Sequence, residues 1–427
     1  MQTTPPKPEQ KSPFLALKVV LIGASARAAA TSATKVGLRV AAIDRFGDSD
    51  LRQICDPYIS LQPPRSAPLG LKSHLATVLA TAPETTLVVV GVGGIEHLQD
   101  ELLAARAELE SSAVRFLIPS ADAFQRAAEP LELEQMATAA GIRFPRWFPA
   151  DACKRVRGQA GWLWKPNVRC GGLAVRPWSE QPPHAEAGYV QQHVAGHLLG
   201  VSYCAGPDGV RCLGVCRGLL QRSTANRFGY TGSVGPLKVA PAMAERLALL
   251  GDTVARHCGI GGLFGVDLIQ RQAELFLLEV NLRYCASMEL LDSSYQNSIS
   301  LHLEAWGSPE NSLTSDRFVP DVSFVSGKRR SNGSATFCKR IVYAERTLVW
   351  SLAIARRFAD FRQTLTDEGW QVAWHDLPCV GVTIDAGAPL MTLIASARSP
   401  SIAFRRAIDC SRRLRQALHH VCTKQTD

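Results

Sequence analysis

Two carboxylates and an amide stand out in the stretch Gly259–Glu289, GIGGLFGVDLIQRQAELFLLEVNLRYCASME. Asp267 lies inside one apolar run, LFGVDLI, and Glu279 and Asn281 lie inside a second, LFLLEVNL; the polar break RQAE separates them. Two β-rich runs flanking a short polar break predict a hairpin. Glu279 and Asn281 are two positions apart and share a strand face. A turn centred on Ala273 sets Asp267 directly opposite Glu279. Paired residues hold their Cβ atoms about 5 Å apart, so two bare carboxylates there repel and a positive charge belongs between them. An all-oxygen set of Asp, Glu and Asn suits Mg²⁺ or Mn²⁺ rather than zinc. The plain alternative is a strand with polar residues facing solvent, although such edges usually carry Lys and Thr as well.

A second chemical feature is GWLWKPNVRCGGLAVRPW. A strand delivers Lys165, a short loop follows, and Gly171 and Gly172 precede another strand. An ammonium beside a glycine loop makes a phosphate cradle, because backbone N–H groups approach oxygens closely where no Cβ intervenes. A surface lysine before a hairpin is the alternative.

These residues need a scaffold. LKVVLIGASARAAATSATKVGLRVAAIDRFGD reads as strand, tight turn, helix, strand, a βαβ unit. The first strand ends at Gly23 and the second at Asp44; TLVVVGVGGIEH adds a strand ending in the turn Gly91–Gly94, and FLIPS adds another. Such strand ends share the ligand-binding edge of a parallel sheet. Glycines required only by tight turns are an equal alternative to a binding role. Asp44 has the spacing of a ribose-binding acid, but GASARA supplies one glycine where a dinucleotide site needs G-x-G-x-x-G. The helix start after Gly23 offers free N–H groups to a substrate anion. Residues 121–145 read as a helix stopped at Gly141, and TFCKRIVYAE and WSLAIA read as later strands. The closing helix places Ile402, Phe404, Ala407, Ile408, Leu414 and Leu418 on an apolar face.

The pattern G-x-F-G-x-D-x-I…L-E-V-N-x-R…S-x-E resembles the metal-binding end of the ATP-grasp superfamily, and K-P…G-G resembles its phosphate element. The resemblance covers roughly residues 17–400. It implies Mg²⁺ held by Glu279, Asn281 and Asp267, with Lys165, Gly171 and Gly172 on the ATP phosphates. It implies that Arg283 touches the transferred phosphate or an acyl phosphate, and that Gln191, Gln192, His193 and Val194 meet adenine through their backbone. Tyr230, in the covering loop RFGYTGSVGPL, and Ser287, Glu289, Gly23, Asp44 and Gly94 are the expected substrate contacts. Two departures are visible. Leu282 stands where the family commonly has Pro, and the helix segment LELEQM lacks the phosphate-contacting Lys of many members; Arg126 lies too early to replace it.

The implied fold class is α/β and α+β. A disordered tail (1–16) precedes a doubly wound, Rossmann-like pre-ATP-grasp domain (17–120). The ATP-grasp domain (121–310) and a small β-rich domain like that of biotin carboxylase (320–427) follow. The implied activity is an ATP-dependent ligase joining a small-molecule carboxylate to an amine or thiol, of the carboligase type related to biotin carboxylase. Tetrahydromethanopterin-type cofactor biosynthesis is the pathway expectation. A nucleotide-binding protein without turnover and an NAD(P)-dependent enzyme remain the alternatives.

Composition narrows the partners. With 427 residues there is room for two or three cores, and 46 % hydrophobic with 20 % charged residues is ordinary for a globular chain. No apolar run approaches the ~18 residues of a membrane span, and the polar, proline-rich start MQTTPPKPEQKSP lacks a secretory core; cytoplasm is the expectation. The net charge of +9 is spread along the chain, and the cluster Lys328–Arg330 has no aromatic interleaving, so neither nucleic acid nor membrane is expected as a partner. A homodimer is compatible with these features. The cysteines form no C-x-x-C pair and read as small core residues.

Overall fold

The computed structural model describes residues 17–61, 70–81, 85–156, 159–167, 171–172, 174–178, 187–221, 228–292, 296–307 and 335–422. The tail at 1–16, the Lys328–Arg330 cluster and the boundary after Gly307 lie outside the described residues.

Five strands open the chain: β1 (Leu17–Gly23), β2 (Arg39–Asp44), β3 (Tyr58–Ser60), β4 (Thr86–Gly91) and β5 (Val114–Leu117). They form one parallel sheet in the order β3-β2-β1-β4-β5. Their near-continuous apolar runs follow from burial on both faces. Val20, Ile22, Ala41 and Val89 pack on α3 (Leu71–Ala80) and α4 (Gln99–Leu109), introduced after α1 (Arg27–Lys35) and the short α2 (Ser49–Arg52). Val19, Leu21, Ala42 and Val90 pack on α1 and toward the rest of the molecule.

The segment expected as one helix is two, α5 (Ala121–Ala128) and α6 (Pro130–Ala139). Pro130 restarts the helix at its first position, where its missing N–H costs nothing. A small sheet then follows, β6 (Trp147–Pro149), β7 (Trp162–Pro166), β8 (Arg176–Pro177) and β9 (Gly188–Gln192), in the order β6-β9-β7-β8. Trp162, Trp164 and Val190 form its core.

The main sheet is built from β10 (His197–Gly206), β11 (Gly209–Leu220), β12 (Tyr230–Gly235), β13 (Gly262–Arg271), β14 (Glu274–Asn281) and β15 (Thr336–Tyr343). After β16 (Leu348–Val349), β17 (Val372–His375) and β18 (Thr383–Ile384), the last strand is β19 (Pro389–Ala397). The order is β14-β13-β10-β11-β12-β15-β19-β17, so the carboxy-terminal strands continue the central sheet. Helices α5, α6 and α7 (Pro241–Cys258) cover one face through Phe124, Met136, Leu250 and Val254. Beyond α8 (Ser298–Gly307), helices α9 (Leu352–Asp367) and α10 (Pro400–Cys422) cover the carboxy-terminal strands. WSLAIA is therefore not a strand: Ser351 accepts from the Ile354 N–H and caps α9. On α10, Ala403 rather than the exposed Ile402 faces the core. Among the described residues no helix is long and apolar enough to cross a membrane. Cys204, Cys212, Cys216, Cys258, Cys338 and Cys410 are free and buried, as small core residues.

His302 on α8 joins the two large sheets. Its Nδ1 accepts from the Leu263 N–H at 2.9 Å, so its Nε2–H donates to the Leu117 carbonyl at 3.0 Å. That tautomer is neutral, and burial holds the ring at about 4, below the usual 6.5. The unfolded chain takes up the proton first, so stability is complete above pH 6.5 and falls as pH drops toward 4. The gap is worth about 3 kcal/mol. Denaturant unfolding across this range should show that loss, and the slope should flatten in His302→Gln.

Candidate functional site

The β13–β14 hairpin turns through two residues, Gln272 and Ala273, because Arg271 pairs with Glu274. A regular ladder from that turn would set Asp267 against Leu278. A β-bulge between Asp267 and Leu268 in the register restores the pairing of Asp267 with Glu279. The expected pairing therefore holds, but the bulge produces it rather than a turn centred on Ala273. The bulge has a second consequence: the Leu278 carbonyl accepts from Lys165 Nζ at 3.1 Å. Bulges re-aim groups near functional sites in this way.

Burial pushes the Asp267 carboxyl well above its ordinary range, and the facing Glu279 pushes it further. Asn281 donates Nδ2 to Asp267 and to Glu279, each at 3.3 Å, in the place a cation would take. The donor set thus fits a hard divalent ion. Among the described residues no group of three or more His, Cys, Asp or Glu could hold a metal, so the site rests on two carboxylates and an amide. Arg283 borders the set: Nη2 donates to Asn281 Oδ1 at 3.1 Å, and Nε pairs with Glu96 at the end of the amino-terminal sheet.

Facing the hairpin, Lys165 on β7 is buried and also donates to Gln191 Oε1 at 3.1 Å. The Gln191 Nε2 is buried without a partner, a donor that a ligand acceptor would satisfy. Gly171 and Gly172 have φ of +63° and +71°. A Cβ on Gly172 would lie 2.2 Å from the Phe228 carbonyl, so the loop closes against the chain only with glycine there. The Gln192 and His193 amides are donated to the Arg146 and Gly161 carbonyls. Those two N–H groups are therefore engaged within the fold, which leaves the turn's carbonyls to face the cavity. Lys165, Gln191–Val194, Tyr230, Asp267, Glu279, Asn281, Arg283 and Ser287 line one cavity of about 1270 Å³.

The amino-terminal residues divide. Asp44 is fully buried; its oxygens accept from the Ala26 and Gly47 N–H groups at 2.7 Å each. It is pushed up to about 6 by burial, against those hydrogen bonds. The α1 start expected to hold a substrate anion is thus met by Asp44 itself. Gly94, at φ +91°, would place a Cβ 2.6 Å from that of Ala24; it and Gly23 let two strand ends touch. Ser25, Ala28 and Gly93 reach the cavity instead. Tyr230 donates to or accepts from Ser233 at 2.9 Å. Glu289 pairs with Arg27 on α1 and with Lys339 on β15, the latter at 2.7 Å.

Residues 128–287 match the family model of the ATP-grasp domain. The chain carries an ATP-grasp domain. Its fold is shared by solved structures of low sequence identity. Carboxyaminoimidazole ribonucleotide synthase from Aspergillus clavatus, complexed with ATP, has a TM-score of 0.64 at 15 % identity, covering 93 % of this chain and 99 % of that one. Biotin carboxylase from Campylobacter jejuni gives 0.62 at 15 %, with 92 % and 90 % covered. L-amino acid ligase from Bacillus licheniformis gives 0.61 at 12 %, with 92 % and 98 % covered. No curated protein matches the sequence.

The ATP-grasp match includes the hairpin, Lys165 and the Gln191–Val194 turn, but stops short of Glu289 and its partners. Arg27, Lys339 and Glu96 were not anticipated as site residues. The available signals were a lone arginine among alanines in ASARAAA and a Lys-Arg pair inside the apolar run TFCKRIVY. Arg126 bonds the His257 carbonyl at 2.7 Å on α7 and lies away from the ATP-grasp cavity lining.

Proposed function

We propose that this chain is an ADP-forming ligase that joins a small-molecule carboxylate to an amine, or to a thiol, through an acyl phosphate. The observation that carries the reading is the bulged hairpin, which sets Asp267 against Glu279 and aims the Leu278 carbonyl at Lys165. Asp267, Glu279 and Asn281 would hold Mg²⁺, or Mn²⁺, which supplies charge neutralisation to the phosphates when bound. Lys165 sits where its ammonium neutralises phosphate charge, and Gly171 and Gly172 leave the backbone open to phosphate oxygens. A substrate carboxylate oxygen attacks the γ-phosphorus, and the bond to the ADP oxygen breaks. The amine nitrogen then attacks the acyl carbon, phosphate leaves, and the nitrogen loses its proton to solvent. Such chemistry depends on positioning and electrostatics rather than on a protein nucleophile. Arg283, held by Glu96, is the residue to orient the acyl phosphate.

Relatives in fold support this reading by what their descriptions name. One carboxylase domain is described with MgADP and bicarbonate, and one synthase with ADP and an aminoimidazole ribonucleotide. Tetrahydromethanopterin-type cofactor biosynthesis is a pathway extension of the proposal, and a homodimer, as described for that carboxylase domain, is compatible with it. One observation favours a nucleotide-binding protein without turnover: α6 offers the phosphates no lysine, and its Glu132 and Glu134 meet His257 and Trp147. An NAD(P) site is disfavoured, since Asp44 is buried with both oxygens engaged. ADP release should be measured with Mg·ATP against a library of acids and amines. Substrate-stimulated ADP is expected; nucleotide binding with no stimulation by any pair would leave the binding-only reading.

A further inference from the structure

The cavity continues beyond the metal set and reaches both faces of β15. Lys339 and Arg340 are consecutive in that strand and point to opposite sides. Lys339 meets Glu289, whereas Arg340 Nε donates to Ser411 Oγ on α10 at 3.2 Å. Phe404, Ile408, Ser411 and Arg415 follow the i, i+4, i+7, i+11 spacing of one helix face. Arg340, Arg415, Phe404, Ile408 and Tyr343 all line this end of the cavity.

The charges here are unbalanced. Burial holds the Arg340 guanidinium below the usual arginine range, and the nearby Arg415 lowers it further. Among the described residues no carboxylate pairs with Arg340. Among the described residues Arg415 meets only the exposed Glu345, at 3.2 Å from Nε. Two guanidiniums on packed elements, one of them half-buried, repel each other unless an anion joins them. Their planar forks suit an oxyanion, which each can bind through two parallel N–H bonds.

We propose that Arg340 and Arg415 form a subsite for an oxyanion, a carboxylate or phosphate group, whose apolar remainder lies against Tyr343, Phe404 and Ile408. The subsite shares no residue with the proposed triphosphate position, which rests on Lys165, Gly171, Gly172 and the Asp267, Glu279 and Asn281 set, although both line one cavity. It goes beyond the ligase reading and requires only the cavity.

The test fills the nucleotide site of the full chain with saturating Mg·β,γ-imido-ATP. Inorganic phosphate, and separately succinate, is then titrated calorimetrically. Saturable binding of at least one of the two oxyanions is expected, and the better binder shows which class the subsite prefers. Arg340→Gln and Arg415→Gln should each weaken it at least about tenfold without changing nucleotide affinity. Arg415 is exposed, so its variant carries the test if Arg340→Gln fails to fold. Absence of saturation in the wild type, or unchanged affinity in the variants, overturns the subsite. Failure of the wild type to bind the imido-nucleotide is read in a separate titration. That result would count against the ligase reading. The oxyanion titration would then be run on the nucleotide-free chain, where saturation weakened by the two variants supports the subsite and its absence overturns it.

Discussion

Glu279→Ala should abolish Mg·ATP-dependent ADP formation and leave the metal-free chain at least as stable as the wild type. The two halves of this expectation have one cause. Burial, with Glu279 opposite, holds the Asp267 carboxyl far above its ordinary 3.8. A carboxyl whose folded value is raised weakens the fold as pH climbs above its unfolded value, because the ionised form is favoured only in the open chain. Truncating Glu279 removes one source of that penalty, so the metal-free variant should lose less stability between about pH 4 and neutrality. The same truncation removes one of the three groups proposed to hold the cation. Mg·ATP at a hundred times its dissociation constant stabilises a binding protein by about 2.7 kcal/mol, and the variant should forgo this. Melting curves with and without Mg·ATP, beside an ADP assay, read both halves. Wild-type turnover in Glu279→Ala would refute the metal assignment.

The hairpin also shows how much of the site a single sequence discloses. Alternation within LFLLEVNL places Glu279 and Asn281 on one face, and two apolar runs locate their partner strand. The turn and the bulge each shift the register by an amount no residue type announces, and here the two offset each other. Lys165 beside Gly171 and Gly172 was legible because strand, lysine and glycines are adjacent in sequence. Asp44 was misleading: its spacing suits a ribose, yet its oxygens are taken by the Ala26 and Gly47 amides of its own fold. WSLAIA failed for another reason, since a short apolar run does not separate helix from strand. Ser351 was the one helical signal there. Pairs such as Arg283 with Glu96, or Arg27 with Glu289, join residues far apart in the chain. Nothing in one sequence says which cation meets which acid.

Arg27→Met should be strongly destabilising, by about 3–5 kcal/mol at neutral pH. Arg27 is about 1 % exposed and sits in the first turn of α1. Its guanidinium bonds Asp376 from Nε at 2.8 Å and Glu289 from both terminal nitrogens. Around it gather Asp50, whose carboxylate accepts from the Asp376 and Leu377 amides, and Asp48, pushed up to about 9 by burial and its acidic neighbours. Burial alone would raise Glu289 and Asp376, but Arg27 and Lys339 together outweigh it, and both lie below their ordinary 4.5 and 3.8. Their stabilisation is therefore present above those values and lost as pH falls through the depressed ones. Without Arg27, Asp376 loses its direct ion-pair partner and burial acts on it against only the more distant Lys339, while Glu289 keeps its pair with Lys339. The difference between wild type and Arg27→Met should be widest near pH 7 and narrow toward pH 4, as the stranded carboxylates take up protons. Adding Asp376→Asn to Arg27→Met should recover part of the loss, because it removes the acid that lost its direct ion-pair partner. Denaturant unfolding of the wild type, both single variants and the double variant at the two pH values measures this coupling. Strict additivity across that cycle would show that Arg27 and Asp376 act independently, and would remove the ion-pair network as the reason an arginine is buried at the start of α1.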